Sequence, residues 1–88
     1  MEWSKGQLVY SKQGRDNGNA YVVLKKEGNF CFLADGRKRT YLKPNKKNFK
    51  HLQATHWVST EIEEMLSAGK IPTDVKIREF INNHRSNI

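Results

Sequence analysis

"AYVVLKKEGNFCFLA", residues 20–34, contains two runs of β-branched, aromatic and other apolar residues around a short polar centre. This composition predicts two strands, over residues 20–26 and 30–34. Between them, Gly28 readily adopts the positive φ that a tight hairpin turn needs. The run 30–34 is unbroken in its apolarity, so we expect both of its faces to be covered and the Cys31 thiol to be buried. The stretch therefore predicts a β-hairpin.

The segments on either side extend this hairpin into a larger sheet. Residues 8–10 predict a strand before it, and Asp35-Gly36 predicts a type I′ hairpin turn after it. Residues 38–42 and 49–54 then predict a fourth and a fifth strand. Five short strands in about 50 residues are too small for a two-sheet sandwich, whereas a strongly bent barrel removes exposed edges at this length. The predicted fold class is a small SH3-like five-stranded barrel.

Beyond the barrel the hydrophobic period changes to that of a helix. Thr60 and Glu63 form a predicted capping box for one helix, and Thr73-Asp74 predicts the start of a second. Helices this short are not stable alone, so we expect their apolar faces to pack on the barrel or on a partner. The chain is thus predicted to be mainly β with an α tail: a barrel over residues 1–57 and a two-helix extension over residues 58–88.

Charge is the strongest compositional signal. The 88 residues carry a net charge of +7. Residues 1–57 hold twelve Lys and Arg against four acidic residues, whereas residues 58–88 hold four against five. The positive charge therefore belongs to the predicted barrel, and a strongly basic domain is typical of proteins that bind nucleic acid or another anionic surface.

The loop "SKQGRDNG", residues 11–18, joins the first two predicted strands. Gly14 and Gly18 permit positive φ and leave the backbone uncovered, so its N–H groups can face phosphate oxygens. Arg15 between them adds a guanidinium that suits bidentate phosphate contact. Glycines also simply suit turns, and the residues of the loop alone leave both interpretations open.

The wider stretch "KGQLVYSKQGRDNGNAYVVL", residues 5–24, resembles the KOW motif. The matching positions are Gly6, Leu8, Val9, Gly14, Arg15, Asp16, Gly18, Val22 and Val23. The chain as far as residue 56 is similar to the small KOW-type large-subunit ribosomal proteins of archaea and eukaryotes, and to short bacterial KOW-domain proteins. The resemblance implies an SH3-like barrel that binds ribosomal RNA, or sometimes protein, through its loops.

The candidate RNA-binding residues lie in the first loop and in the basic run after the hairpin. They are Lys12, Arg15, Asn17, Arg37, Lys38, Arg39, Lys43, Lys46, Lys47, Lys50 and His51. Arginines suit bidentate contacts and lysines suit phosphate contacts, while an exposed histidine can stack on a base. As part of a strand, Arg37 and Arg39 would share one face and Lys38 the other. The motif glycines Gly6, Gly14 and Gly18 complete the predicted site, although a solvated lysine-rich loop is the alternative interpretation of the run.

Other classes of function fit the sequence less well. We expect no enzyme, cofactor or metal, because the histidines have no metal-ligand spacing with Cys31 and Ser11 lacks a nucleophile elbow. The helical tail is net acidic, which is the wrong charge for reading a DNA major groove. The main alternative is a protein-interaction module. It would bind its partner in an exposed cleft of the barrel lined by aromatic residues, or through the C-terminal helices.

The sequence therefore predicts an RNA-binding, ribosome-associated or ribosomal-protein-like factor of the cytoplasm. Its expected partner is rRNA of the large subunit, with a possible ribosomal or translation-factor protein contacting the helices. The first residues lack the pattern of a secretory signal, and no apolar run approaches the length of a membrane span. A permanent ribosomal subunit and an assembly, rescue or hibernation factor all remain open.

Overall fold

In a computed structural model the protein is described over residues 3–15 and 17–85, so Asp16 of the KOW-like stretch lies outside the described residues. The elements are strands β1 (Gln7–Ser11), β2 (Ala20–Glu27), β3 (Phe30–Ala34), β4 (Asn45–Asn48) and β5 (Leu52–Val58), then helices α1 (Thr60–Ser67) and α2 (Asp74–Arg85). A short 3₁₀ turn, Phe49–His51, joins β4 to β5. The prediction of a mainly β chain with five strands and two C-terminal helices is confirmed.

All five strands form one antiparallel sheet in the order β4-β3-β2-β1-β5. Register shifts between Gln7 and Val9 and between Val23 and Lys25 mark bulges, which bend a sheet and increase its twist. Within the described residues, β4 and β5 remain the two edges, so the ladder of strand pairs does not close into a complete ring. The reason is local: β4 has only four residues and a helical turn follows it at once.

The segment predicted as the fourth strand, residues 38–42, is a loop, and this prediction is wrong. The Asp35 carboxylate accepts hydrogen bonds from the N–H groups of Arg37 (2.8 Å) and Arg39 (3.0 Å). The Arg39 carbonyl in turn accepts from the N–H groups of Asp35 (2.9 Å) and Gly36 (3.1 Å). These bonds satisfy the backbone locally, so the predicted type I′ hairpin is replaced by a wider capped loop. The fourth strand forms later, as β4.

The fifth strand is displaced toward the C-terminus from its predicted position at residues 49–54. It begins at Leu52, because the Asn48 side chain accepts a hydrogen bond from the N–H of Lys50 (3.1 Å) and caps the 3₁₀ turn. A capped helical turn cannot take part in strand pairing at the same time.

Both faces of the sheet are covered. One face, called here the helix face, carries Leu8, Ala20, Val22, Leu24 and Ala34, and the helix residues Ile62, Ile77 and Ile81 pack against them. The opposite face carries Val9, Tyr21, Val23, Cys31, Leu33 and Leu52, with Trp3 and Phe49 packed at its margin. The first five residues of β2 are therefore buried without interruption, since each face covers alternate positions.

Cys31 lies on the face opposite the helices and is fully buried, which confirms the predicted buried thiol. Burial raises the pKa of Cys31, and nearby Lys26 opposes this effect more weakly. The thiol is thus a packing group held in its neutral form.

The helices begin at well-defined caps. Thr73 starts α2 as predicted, its hydroxyl accepting from the N–H of Lys76 (3.2 Å). The cap of α1 is Ser59 and not Thr60: the Ser59 hydroxyl accepts from the N–H of Ile62 (3.2 Å). The predicted capping box of Thr60 and Glu63 is therefore wrong, because Thr60 already lies inside the helix and the third residue after the Ser59 cap is Ile62, which has no polar side chain.

We expect Ser59→Ala to lower the free energy of unfolding by about 1 kcal/mol, since it removes the side chain that satisfies a helix N–H. Thr60→Ala is the matched control, because Thr60 is exposed at the first position of α1, and its expected change is within about 0.5 kcal/mol. Urea unfolding followed by circular dichroism measures both. If both variants lost the same free energy of unfolding, Ser59 would not be the cap of α1.

Candidate nucleic-acid interface

Two loops and one strand meet around an open groove of about 380 Å³, called here the basic groove. Its walls include Gly14 and Arg15 from the β1–β2 loop, Lys38 and Arg39 from the loop after β3, and Lys47 from β4. These five residues come from three separate segments of the chain, and all were predicted as site residues. The antiparallel order of the sheet brings them to one end of the molecule.

Backbone hydrogen bonds set the position of the cationic side chains. The loop that carries Lys38 and Arg39 is held by the Asp35 carboxylate, so the two side chains leave a fixed backbone and are exposed. The first loop is closed by a hydrogen bond that the Gly18 N–H donates to the Ser11 carbonyl (2.8 Å). The groove therefore has preformed walls.

Lys47 links β4 to the first loop. Its ammonium donates to the Ser11 hydroxyl at 3.0 Å and to the Gln13 carbonyl at 3.3 Å. It joins β4 to the end of β1, two strands that are not neighbours in the sheet. Lys47 thus contributes charge to the groove while also fixing the loop that bears Arg15.

Among the described residues, Asp35 is the one acidic side chain that lines the groove. One of its oxygens already accepts hydrogen bonds from two backbone N–H groups. In the described part of the chain, Arg15, Lys38 and Arg39 form no ion pair. Their positive charges face solvent and are open to an anionic partner.

The other predicted basic residues point elsewhere. Lys46 alternates with Lys47 along β4 and lies on the opposite side, its ammonium 4.8 Å from the Phe30 ring centre. Lys12 and Lys50 line a second groove beside the first loop. Arg37 lines a neighbouring cavity of about 270 Å³ that also contacts α2. The basic run is therefore divided among several surfaces and is not one continuous face.

Further predicted residues occupy less central places. Asn17 and Lys43 are exposed in turns, and His51 is half-buried in the 3₁₀ turn. The Nδ1 atom of His51 is buried without a hydrogen-bond partner among the described residues, so its ring is not the exposed stacking surface that was expected. The prediction that Arg37 and Arg39 share a strand face is wrong, because both lie in the capped loop.

The motif glycines differ in their surroundings. Gly6 packs against α1, and a Cβ there would lie 2.8 Å from the Ser59 carbonyl oxygen. Gly14 lines the basic groove, whereas nothing approaches within 4 Å of a Cβ placed on Gly18. Of the three, Gly14 alone lies where its backbone can face a ligand bound in the groove.

Sequence reasoning missed several neighbours of these residues. Asn19, Tyr21 and Asn45 also line the basic groove. Arg78 lies in the C-terminal segment, which is net acidic. Its side chain donates to the Gly36 carbonyl at 2.6 Å and so connects α2 to the loop that carries Lys38. Nothing in the sequence pattern places α2 against this loop.

Searches for a metal cluster and a membrane span among the described residues, and for related proteins, gave no match. No three of their His, Cys, Asp and Glu side chains are grouped as metal ligands are. Neither helix in the described part is long and apolar enough to span a bilayer. No protein-family model and no curated protein matches the chain, so interpretation of the groove depends on its own residues.

Proposed function

We propose that this chain is a KOW-type, ribosome-associated protein of the cytoplasm that binds structured RNA, in the first place rRNA of the large subunit, through the basic groove. One observation carries the proposal: the glycine loop of the KOW-like stretch and the predicted basic loop line the same groove. Arg15, Lys38 and Arg39 there form no ion pair within the described residues. A groove with fixed walls and free cations suits a folded phosphate backbone.

The proposal includes an SH3-like barrel whose seam lies between β4 and β5. Support comes from the pairing of β1 with β5 and from the single 3₁₀ turn that carries the chain between the two edges. The Lys12 N–H donates to the His51 carbonyl at 2.8 Å, and the Lys47 side chain reaches the Ser11 hydroxyl. The first bond continues the β1–β5 ladder beyond the Ser11–Leu52 pair, and the second links β4 to β1.

The packing and the surface charge of α1 and α2 favour RNA over duplex DNA as the partner. A helix that reads a major groove needs a free polar face of suitable charge. Here α1 and α2 bury their apolar faces on the sheet, and Glu61, Glu64 and Glu79 are exposed on them. The cationic surface is formed by loops and a strand edge, which suits recognition of RNA shape and phosphates.

Sedimentation with purified ribosomes over a potassium chloride series tests the proposal. We expect the protein to migrate with the large subunit at low salt and to be released as salt rises. With about four phosphate contacts, log K against log salt has an expected slope of roughly −3. Migration at the top of the gradient at the lowest salt, together with no binding to naked rRNA, would contradict the proposal.

A protein partner is the second candidate, supported by an apolar surface beside the helices. Leu42, Ile71 and Val75 are 78%, 53% and 50% exposed, and the first two line a shared depression. Tyr21 lies on the face opposite Tyr41 and Trp57, so these three rings do not line one groove. If Leu42→Asp with Ile71→Asp weakened ribosome binding but not binding to naked rRNA, this surface would be a protein contact.

A further inference from the structure

A second groove, called here the aromatic groove, lies on the other side of the first loop and has a volume of about 390 Å³. Its lining includes two aromatic side chains, Trp3 and Phe49, and three lysines, Lys12, Lys26 and Lys50. Trp3 and Lys26 belong to no motif, and their position follows only from the fold. Lys12 and Lys50 were predicted as RNA-binding residues, but the sequence did not indicate that they meet two aromatic rings.

The two rings form a rigid wall. Their centres are 6.2 Å apart with an interplanar angle of 60°, and both rings are half-buried. Each also packs against the core on the face opposite the helices, which fixes it from behind. The Lys26 ammonium lies 5.8 Å from the centre of the Phe49 ring, so positive charge is held beside an aromatic face.

Among the described residues, every charged side chain that lines the groove is positive. No acidic residue lines it, and Lys12, Lys26 and Lys50 form no ion pair within the described chain. An aromatic wall with flanking cations matches one ligand chemistry especially well: a nucleotide whose base stacks on a ring while its phosphates meet ammonium groups. A peptide would leave these lysines without counter-charges unless it were acidic.

The two grooves adjoin along two chain segments. In residues 12–15, Lys12 lines the aromatic groove and Arg15 lines the basic groove. In residues 47–50, Lys50 lines the aromatic groove and Lys47 lines the basic groove. The segments are tied together by the Lys47 ammonium, which donates to the Gln13 carbonyl at 3.3 Å. The two grooves therefore lie next to each other, on either side of these segments.

We infer that the aromatic groove holds a single unpaired nucleotide next to a helix bound in the basic groove, so that the protein recognises a bulge or a helix end. The inference rests on the proposed function, because it assigns a second subsite to the same RNA. Base stacking supplies the preference for an unpaired nucleotide, and the lysines position its phosphates.

Two RNA hairpins with the same stem, one fully paired and one with a single bulged adenosine, test the inference. In a Trp57→Phe background Trp3 is the fluorophore, since the chain has two tryptophans. We expect the bulged hairpin to bind roughly tenfold more tightly and to quench Trp3, and the paired hairpin to bind without quenching. Free AMP should produce no saturable quenching at the same concentrations; saturation by AMP there would overturn the assignment to RNA.

Side-chain variants locate the effect. Lys26→Gln with Lys50→Gln is expected to reduce the tenfold ratio between the two hairpins to roughly two, because the phosphates lose their partners. Lys25→Gln with Lys70→Gln makes the same charge change away from the groove and should preserve the ratio. Trp3→Leu should also remove the preference, but the lysine variants decide the matter if loss of Trp3 packing unfolds the protein.

The outcomes separate this inference from the proposed function. Equal binding of both hairpins without a change in Trp3 fluorescence would overturn the inference and leave RNA binding by the basic groove in place. Failure of both hairpins to bind at low salt would overturn the proposed function itself.

Discussion

Gly36→Ala is expected to lower the free energy of unfolding by about 3 kcal/mol, a large share of the stability of a domain of this size. Gly36 has a φ of +76°, a conformation that alanine adopts only with strain. A Cβ at this position would also lie 2.5 Å from the Asp74 carbonyl oxygen and 2.8 Å from the Arg78 Cγ. Because one of these contacts is backbone at the start of α2, relief requires the helix or the loop to move.

Gly28→Ala is the matched control for this substitution. Gly28 has a φ of +60°, but a Cβ there would meet nothing within 4 Å. The expected loss is therefore only the conformational part, about 1 kcal/mol. Urea unfolding of the two variants separates backbone strain from the clash with α2. Equal losses would show that the approach of α2 to the loop does not contribute.

The packing of Gly36 on α2 also connects the core to the proposed interface. Gly36 lies between the Asp35 cap and the loop that carries Lys38 and Arg39, and its carbonyl accepts from the Arg78 side chain at 2.6 Å. A helix outside the predicted barrel thus supports one wall of the basic groove. We therefore expect Gly36→Ala to weaken RNA binding even at temperatures where most molecules remain folded.

Local patterns were sufficient for much of the fold. The β2–β3 hairpin was predicted from its composition and its Gly28 turn, since both signals act within 15 residues. The start of α2 followed from its Thr73 cap. These elements need no knowledge of distant contacts.

The errors lie where a side chain competes for the backbone. Residues 38–42 have the composition of a strand, but the Asp35 carboxylate and the Arg39 carbonyl satisfy the backbone of the preceding turn. The 3₁₀ turn capped by Asn48 displaced β5 in the same way. Capping by a single polar side chain outweighed β propensity at both places.

The candidate site was predicted in its residue types better than in its geometry. Arg15, Lys38, Arg39 and Lys47 were predicted and do meet in one groove. A run of charges carries no information on direction, however, and the alternation of β4 sends Lys46 to the other side. Trp3 and Lys26 enter the second groove only through tertiary packing, so no local signal could have identified them.

Reversal of the two exposed cations of the capped loop, Lys38→Glu with Arg39→Glu, is expected to weaken binding to an rRNA fragment by roughly 100-fold at low salt. Each substitution removes a phosphate contact and adds a repulsive charge in the groove. The slope of log K against log salt should also become shallower by about 2. Filter binding over a salt series measures both quantities.

The fold should tolerate this double reversal. The bonds that hold the loop use the Asp35 side chain and backbone groups, and both substituted side chains are exposed. An unchanged circular dichroism spectrum and thermal midpoint would establish that the loss arises from binding.

Lys5→Glu with Lys70→Glu is the control that separates the groove from overall charge. It changes the net charge by the same amount, and both lysines are exposed and line neither the basic nor the aromatic groove. Non-specific attraction depends on total charge, whereas contact in a groove depends on position. A similar loss for the two double variants would therefore contradict the basic groove as the binding site, while a loss confined to Lys38 and Arg39 would place the phosphate backbone against the capped loop.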